Sequence, residues 1–415
     1  MRKRRFSILL LVVSATLLSA VSGPDDRTAT DPKTVTSVSN PDARPVPVED
    51  LFYSRSVFGP AWSPDGKELV FTTNLTGRYN LWKVSTDGGF PIQLTASDDR
   101  QGSAAWSPDG KWIVYSQDRG GNEAYDLYAV PADGGEVVNL TQTPDIREDN
   151  PLFSPDGSRL GFFLKPKAAS AVDLAILDWR TRAVRNLTNE KTKDHLWSSF
   201  VWSRDGKYLF GMRANAASTD SDLYRIDAQT GAAELLTPHS GEVLYDLNIS
   251  SPDDRTLLIW SNQKGGFPNL ALLDLASKKL TWITDTQWEA QVADFSPDGK
   301  SIAYVINADG RNLLYLTGLD GRGPKLEFPE GLTTITGKPS AFSPDGSRLL
   351  LSHQDSQRPS DLWIYDLKTR NLRQLTFSAI ASLSPRSLPP SQLVHYKSFD
   401  GKMISAFLWM PQPEA

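Results

Sequence analysis

The sequence predicts an all-β fold, a seven-bladed β-propeller of four-stranded antiparallel blades followed by a short C-terminal hairpin, and three observations carry that prediction. An aromatic or apolar residue followed by Ser-Pro-Asp-Gly, or a near copy, occurs seven times, with the serines at Ser63, Ser107, Ser154, Ser203, Ser251, Ser296 and Ser343. Neighbouring copies lie 44 to 49 residues apart with no helical periodicity between them, a period that fits one four-stranded sheet per repeat. Asn or Asp followed by Leu opens the third strand of every unit, and Leu or Ile plus Thr closes the fourth in six of them. Sheets of this kind packed radially bury both faces and leave only short, protected edges.

The elements follow in chain order. Residues 1–22 read as a signal peptide: Arg2, Lys3, Arg4 and Arg5 make a basic start, Ile8 to Leu18 an apolar stretch, and Ala20-Val21-Ser22 a small-residue cleavage site. That stretch is too short to span a bilayer. Residues 23–48, rich in Pro, Asp, Ser and Thr, are expected to form a flexible linker. The propeller is assigned to residues 49–377. In its second unit Ala104-Ala105-Trp106 closes the first strand, and Pro108-Asp109-Gly110 turns the chain into Trp112-Ile113-Val114-Tyr115. Proline presets φ, Asp tolerates the next position and Gly accepts the exit conformation. The third strand is Asp126 to Val130, and an Asp133-Gly134-Gly135 turn leads to a fourth ending at Leu140-Thr141.

Three units depart from this pattern. The fourth has Arg204 in place of Pro, the fifth has Asp254 in place of Gly and Ser250 in place of the aromatic, and the sixth lacks a Leu-Thr ending, so its fourth strand is expected within Leu326 to Thr336. A Ser/Pro-rich connector is assigned to residues 378–392. From 393 to 415 the grammar changes: Val394 to Phe399 and Met403 to Pro411 read as a hairpin around Asp400-Gly401-Lys402.

Composition narrows the function. Cysteine is absent, which excludes disulfides, a thiol nucleophile, thiolate metal sites and a lipid-modified cysteine. Loss of the four basic residues at positions 2–5 takes the net charge from −5 to −9, which argues against nucleic acid and anionic membrane surfaces as partners. No membrane insertion is expected after signal removal, and export to the periplasm or the extracellular space is.

Seven such units, a Pro-rich connector, and then Tyr396-Lys397-Ser398-Phe399-Asp400-Gly401 running to Pro411 resemble the N-terminal part of a prolyl oligopeptidase family serine peptidase, of the bacterial exported dipeptidyl aminopeptidase or acylaminoacyl peptidase type. The resemblance covers residues 48 to 411. The repeat is shared with TolB-like periplasmic propellers, whereas in the peptidases a segment like the hairpin opens the α/β-hydrolase domain. The resemblance therefore implies 393–415 as the first hairpin of an α/β-hydrolase domain missing from these residues or supplied as a separate chain. It also implies a propeller that gates and selects oligopeptide substrates. The alternative is a stand-alone TolB-like propeller that binds a protein or peptide.

No catalytic residue is assigned. Gly-x-Ser-x-Gly, the elbow that exposes a hydrolase serine, is absent from the 415 residues. His195, His239, His353 and His395 are far apart in sequence; they read as surface histidines, the first two ahead of the first strands of blades 4 and 5 and His353 after the second strand of blade 7. Neither a metal nor another cofactor is expected, because the aspartate repeated in every turn serves the turn and one carboxylate per blade cannot gather the roughly six to eight oxygens of a calcium site.

Up-and-down blades place chain entry, chain exit and the loops between second and third strands on one face, opposite the repeated turns. Those loops are individual: Leu75 to Tyr79, Asp118 to Tyr125, Lys165 to Lys167, Lys264 to Phe267 and Gln357 to Pro359. Recognition residues concentrate on such loops, and the candidates for substrate binding are Glu123, Arg119 and Arg358. The resemblance implies for Glu123 the capture of a peptide's free amino terminus.

Overall fold

The computed structural model describes residues 42, 44–169, 171–379, 384 and 387–410; the predicted signal peptide and most of the predicted linker lie outside them. A single helical turn, Val48–Phe52, precedes the first strand. Seven antiparallel sheets then follow one another, each built from one continuous stretch of chain in simple up-and-down order, from Val57–Gln93 for blade 1 to Leu332–Gln374 for blade 7.

Each predicted turn is held by the same small network. Ser63 Oγ donates to Asp65 Oδ1 at 2.7 Å, the Lys67 N–H donates to that carboxylate at 3.1 Å, and the Glu68 N–H donates to Ser63 Oγ at 2.9 Å. Gly66 takes φ +70°, where a side chain is strained. The Ser–Asp bond recurs in the other six blades at 2.6–2.8 Å. The serine hydroxyl holds Asp65, Asp109, Asp156, Asp253 and Asp298 below the usual carboxylate range and Asp345 down to about 2; at Asp205 the Lys207 N–H is the main cause.

Neighbouring turns also touch. The proline of one packs where a Cβ on the next glycine would come within 3.2–3.8 Å, as Pro344 does at Gly66, Pro64 at Gly110 and Pro108 at Gly157. The two irregular turns meet each other. Arg204, standing where proline would lack an N–H, donates that N–H to Asp254 Oδ2 at 2.6 Å, and Asp254 takes the glycine conformation at φ 53°. Departures that read as separate irregularities are one compensated contact.

The second repeated pair is a latch. In blade 4 the Leu223 N–H donates to Thr237 Oγ1 at 2.9 Å, and that hydroxyl donates to Asp222 at 3.0 Å; blades 3, 5 and 7 repeat the arrangement through Thr188, Thr284 and Thr376. The end of the fourth strand is thereby pinned to the start of the third. Blade 6 has no such threonine. Its sheet has three strands, with a single bridge from Tyr315 to Lys325 in place of the fourth, and Leu332–Ile335 belongs instead to blade 7 as its first strand. The expected fourth strand within 326–336 is corrected accordingly.

Buried apolar residues form seven wedges, each between two neighbouring blades. The wedge joining Trp62, Leu69, Phe71 and Trp82 of blade 1 to Leu350, Leu362 and Ile364 of blade 7 closes the ring. No strand is exchanged at this seam. Arg348 bridges it instead, donating to Gly66 O at 2.9 Å and Thr86 Oγ1 at 3.0 Å while lying 5.4 Å from the Trp62 ring centroid. Arg159 does the same between blades 3 and 4, with Gly206 O at 2.6 Å and the Trp202 ring at 5.1 Å. The aromatics ahead of the turns pack between blades as predicted: Trp106 Nε1 donates to Ala61 O and Trp202 Nε1 to Leu152 O.

The histidine placement is corrected. His195 begins the first strand of blade 4 and His353 lies inside the second strand of blade 7. His353 is 1% exposed, with Nδ1 2.7 Å from Thr333 Oγ1, and the His239 side chain is 7% exposed. Neither is a surface histidine.

The terminal segment forms a unit of its own, Gln392–Lys397 paired antiparallel with Met403–Leu408 around a turn with Gly401 at φ 83°. Tyr396, Phe399, Met403, Phe407 and Trp409 are exposed on it.

Candidate functional site

Chain entry and exit share the loop face of the ring. Ser56 donates its N–H to Asn74 Oδ1 at 2.9 Å beside the blade 1 loop, and Gln357 of the blade 7 loop donates to Leu388 O at 2.6 Å. On this face the structure places all three predicted residues. Arg119 and Glu123 share the blade 2 loop, and Arg358 stands on blade 7, with blade 1 between them. Glu123 is exposed at φ 58°. Arg119 reaches Asp126 Oδ2 at 3.3 Å, and Arg358 is paired with Asp355 at 2.7 Å. Gly120 donates its N–H to Asp99 at 2.7 Å, tying the blade 2 loop to the chain entering that blade.

Sequence reasoning missed a second tier beneath these loops. Arg100 lies over the Tyr79 ring at 4.9 Å and Arg147 over the Tyr125 ring at 4.9 Å, each pairing the residue before a third strand with one at the start of the next blade. Such stacking orders both partners. Beside Arg147, Glu148 is wholly buried, and burial pushes its carboxyl up to about 7 against the opposing pull of Thr141 and Thr143, which lie near it without making a full hydrogen bond.

The first strands surround the axis, and polar residues on or beside them link neighbouring blades. Ser116 donates to Asp149 at 3.0 Å, Ser199 to Asp246 at 2.6 Å, and Ser340 to Asp294 at 2.7 Å. Burial raises Asp246 and takes Asp294, whose Oδ1 has no partner, to about 6. Burial acts on Asp149 in the same direction, but bonds from Ser103, the Asn150 N–H, Arg147 and Ser116 outweigh it and leave that carboxyl lowered. Lys338 on blade 7 donates from Nζ to Asn150 Oδ1 on blade 3. Those blades are not neighbours, so the lysine spans the axis. Burial lowers its ammonium to about 8.

The signal for this tier is position within the repeat. Five residues ahead of the turn serine stand Asp149, Asp246 and Lys338, where other blades carry Phe58, Gly102, Ser198 and Gln291. Residues that recur serve the turns, and those that differ at one repeat position face the axis.

Among the described residues no three His, Cys, Asp or Glu side chains gather as a metal site. The turn serines are committed to aspartates and His353 bonds a threonine, so neither is arranged as a nucleophile and its base.

A family model for the TolB beta propeller domain matches residues 52–150 and 145–331. The chain belongs to that family. Among curated proteins, an uncharacterized peptidase of Bacillus subtilis, YuxL, is 24% identical over 228 residues, which is 52% of this chain and 31% of the relative. Dipeptidyl aminopeptidase BIII of Pseudoxanthomonas mexicana is 27% identical over 150 residues, 36% of this chain and 21% of the relative. Solved structures share the propeller fold. A prolyl endopeptidase superposes with a TM-score of 0.70 at 16% identity, over 86% of this chain and 54% of its own. Dipeptidyl peptidase 4 of Porphyromonas gingivalis gives 0.58 at 13%, over 89% and 59%. The chain thus spans a third or less of the curated relatives and little more than half of these solved chains. Among the described residues no helix is long and apolar enough to cross a membrane.

Proposed function

We propose that this propeller is the substrate-gating and selecting part of an exported serine peptidase acting on oligopeptides, with cleavage performed by an α/β-hydrolase domain outside these residues. The observation that carries the reading is a ring completed by its own seven blades and followed by a hairpin with exposed apolar side chains, in a propeller whose similar proteins include peptidases much longer than the matched region. A rigid ring narrows access to peptides that can thread or fit between its loops. Glu123 and the arginines at 119 and 358 then act on the ends and charges of those peptides. The exposed Glu123 carboxylate suits a protonated amino terminus, to which a charge-assisted hydrogen bond adds orientation as well as affinity.

Fluorescence anisotropy tests this reading with labelled oligopeptides whose amino terminus is free or acetylated. The propeller is expected to bind short peptides in preference to folded proteins, to favour the free amino terminus, and to lose that preference about tenfold in Glu123→Ala. Unchanged selectivity in the variant removes Glu123 from the site. Absence of any peptide binding contradicts the proposal itself.

A further inference from the structure

A cavity of about 550 Å³ lies on the axis at the end of the ring opposite the variable loops, walled by all seven repeated turns. Six turns contribute a proline and the fourth contributes Arg204; aromatic residues ahead of the turns, Trp106, Trp202 and Phe295 among them, complete the wall. Its volume is that of a site for a small organic molecule.

The electrostatics are one-sided. Two cationic side chains, Lys338 and Arg204, line the cavity and no Asp or Glu does, although the chain carries 49 acidic against 44 basic residues. The turn aspartates lie outside the lining, each accepting from its own serine. For the same reason the rim serines have no hydroxyl proton to offer a ligand. Among the described residues no carboxylate lies within ion-pair distance of Lys338, whose one hydrogen-bond acceptor is the neutral Asn150 amide. An ammonium has three N–H donors; Asp149 partly offsets the charge from beyond contact distance, but a buried cation with no ion-pair partner in contact is costly. One anionic group beside Lys338 would remove that cost.

We propose that this cavity binds a monocarboxylate with an apolar body, its carboxylate on Lys338 and its body against the aromatic and proline wall. Two cations and an otherwise apolar lining fit one carboxylate, whereas a polyphosphate would find too few donors. The carboxylate belongs either to a free apolar acid or to the C-terminus of an apolar peptide, and both present the same chemistry. The site lies on the opposite face from the loops assigned to peptide selection and does not depend on that assignment.

Titration calorimetry on the purified chain decides the matter, with phenylbutyrate as the acid, phenylbutanol as its neutral counterpart, and an Ala-Pro-Phe peptide with a free or amidated C-terminus. The wild-type protein is expected to bind phenylbutyrate saturably and the alcohol at least about tenfold more weakly. Lys338→Met is expected to bring the acid down to the level of the alcohol. Arg204→Gln, which keeps the N–H that Asp254 accepts, should weaken the acid by about threefold through lost potential alone. Asn150→Ala breaks the strut across the axis but keeps the ammonium, so it should still bind the acid, which separates ligand binding from a purely structural use of Lys338. Tight binding of the free peptide but not its amide identifies a C-terminus as the carrier, and binding of phenylbutyrate alone identifies a free acid; either supports the site. Equal binding of acid and alcohol, no saturable binding of either, or a folded Lys338→Met protein with undiminished affinity overturns it.

Discussion

At the scale of single residues, the most exposed prediction concerns Glu148. It occupies the place in blade 3 that Gln101 holds in blade 2, where the amide oxygen accepts from the Leu81 N–H at 3.2 Å and from Thr95, and the amide nitrogen donates to Gln117 at 2.7 Å. The Glu148 carboxylate has Thr141, Thr143 and the Leu127 N–H beside it, but none in a full hydrogen bond. With its folded value raised from 4.5 to about 7, the full stability it permits is present below pH 4.5 and is lost as pH rises through about 7. Glu148→Gln should therefore add little stability in acid and most above neutrality, where the gain is the roughly 1–3 kcal/mol that an unsatisfied buried polar group costs, with Tm rising accordingly. A gain independent of pH, measured by thermal melts across that range, contradicts the assignment. Arg204 and Asp254 offer a second residue-scale test. Arg204→Pro removes the N–H that Asp254 accepts and should cost about 1–3 kcal/mol, whereas the double change with Asp254→Gly rebuilds the Pro–Gly contact of the other blades and should recover most of it. Urea denaturation giving additive effects would show the two turns to be independent.

At the scale of elements, the Asp/Asn–Thr latch and the arginine bridges decide how blades hold together. Thr188→Val should lower stability by about 1 kcal/mol, as judged from denaturant midpoints, because the Leu174 N–H and Asp173 both lose a partner; an unchanged midpoint would deny the latch its role. Arg348 and Arg159 make equivalent contacts, but only Arg348 spans a junction without a continuous chain. In hydrogen exchange, Arg348→Ala is expected to deprotect blades 1 and 7 more strongly than Arg159→Ala deprotects blades 3 and 4, and equal effects would mean that the seam is no weaker than any other junction. This is also where the sequence was most and least informative. Turn and latch residues were legible because their chemistry is local and recurs in every blade. The blade 6 edge was not, since the missing threonine marks a strand reduced to one bridge, which propensity cannot distinguish from a displaced strand. The tier around the axis was hidden for a different reason: Lys338 and Asn150 lie on blades 7 and 3, and only closure of the ring brings them together. The histidines misled because burial inside or beside strands depends on neighbouring blades that a sequence window does not contain.

At the scale of the whole molecule, the ring has two unlike ends. One carries the entering and leaving chain and the loops with Arg119, Glu123 and Arg358; the other carries seven near-identical turns around a cationic, apolar cavity. The second end is uniform because its turns repeat, and the first is individual because its loops differ, which is why recognition is proposed there. The turn serines are held by their own aspartates, and the role proposed for the propeller is selection without cleavage. The most direct measurement incubates the purified chain with a mixture of oligopeptides and folded proteins and reads the bound and free fractions by mass spectrometry. Oligopeptides retained intact, with folded proteins left free, are the predicted result. Cleaved fragments, or a bound fraction no richer in peptides than the mixture supplied, would contradict it.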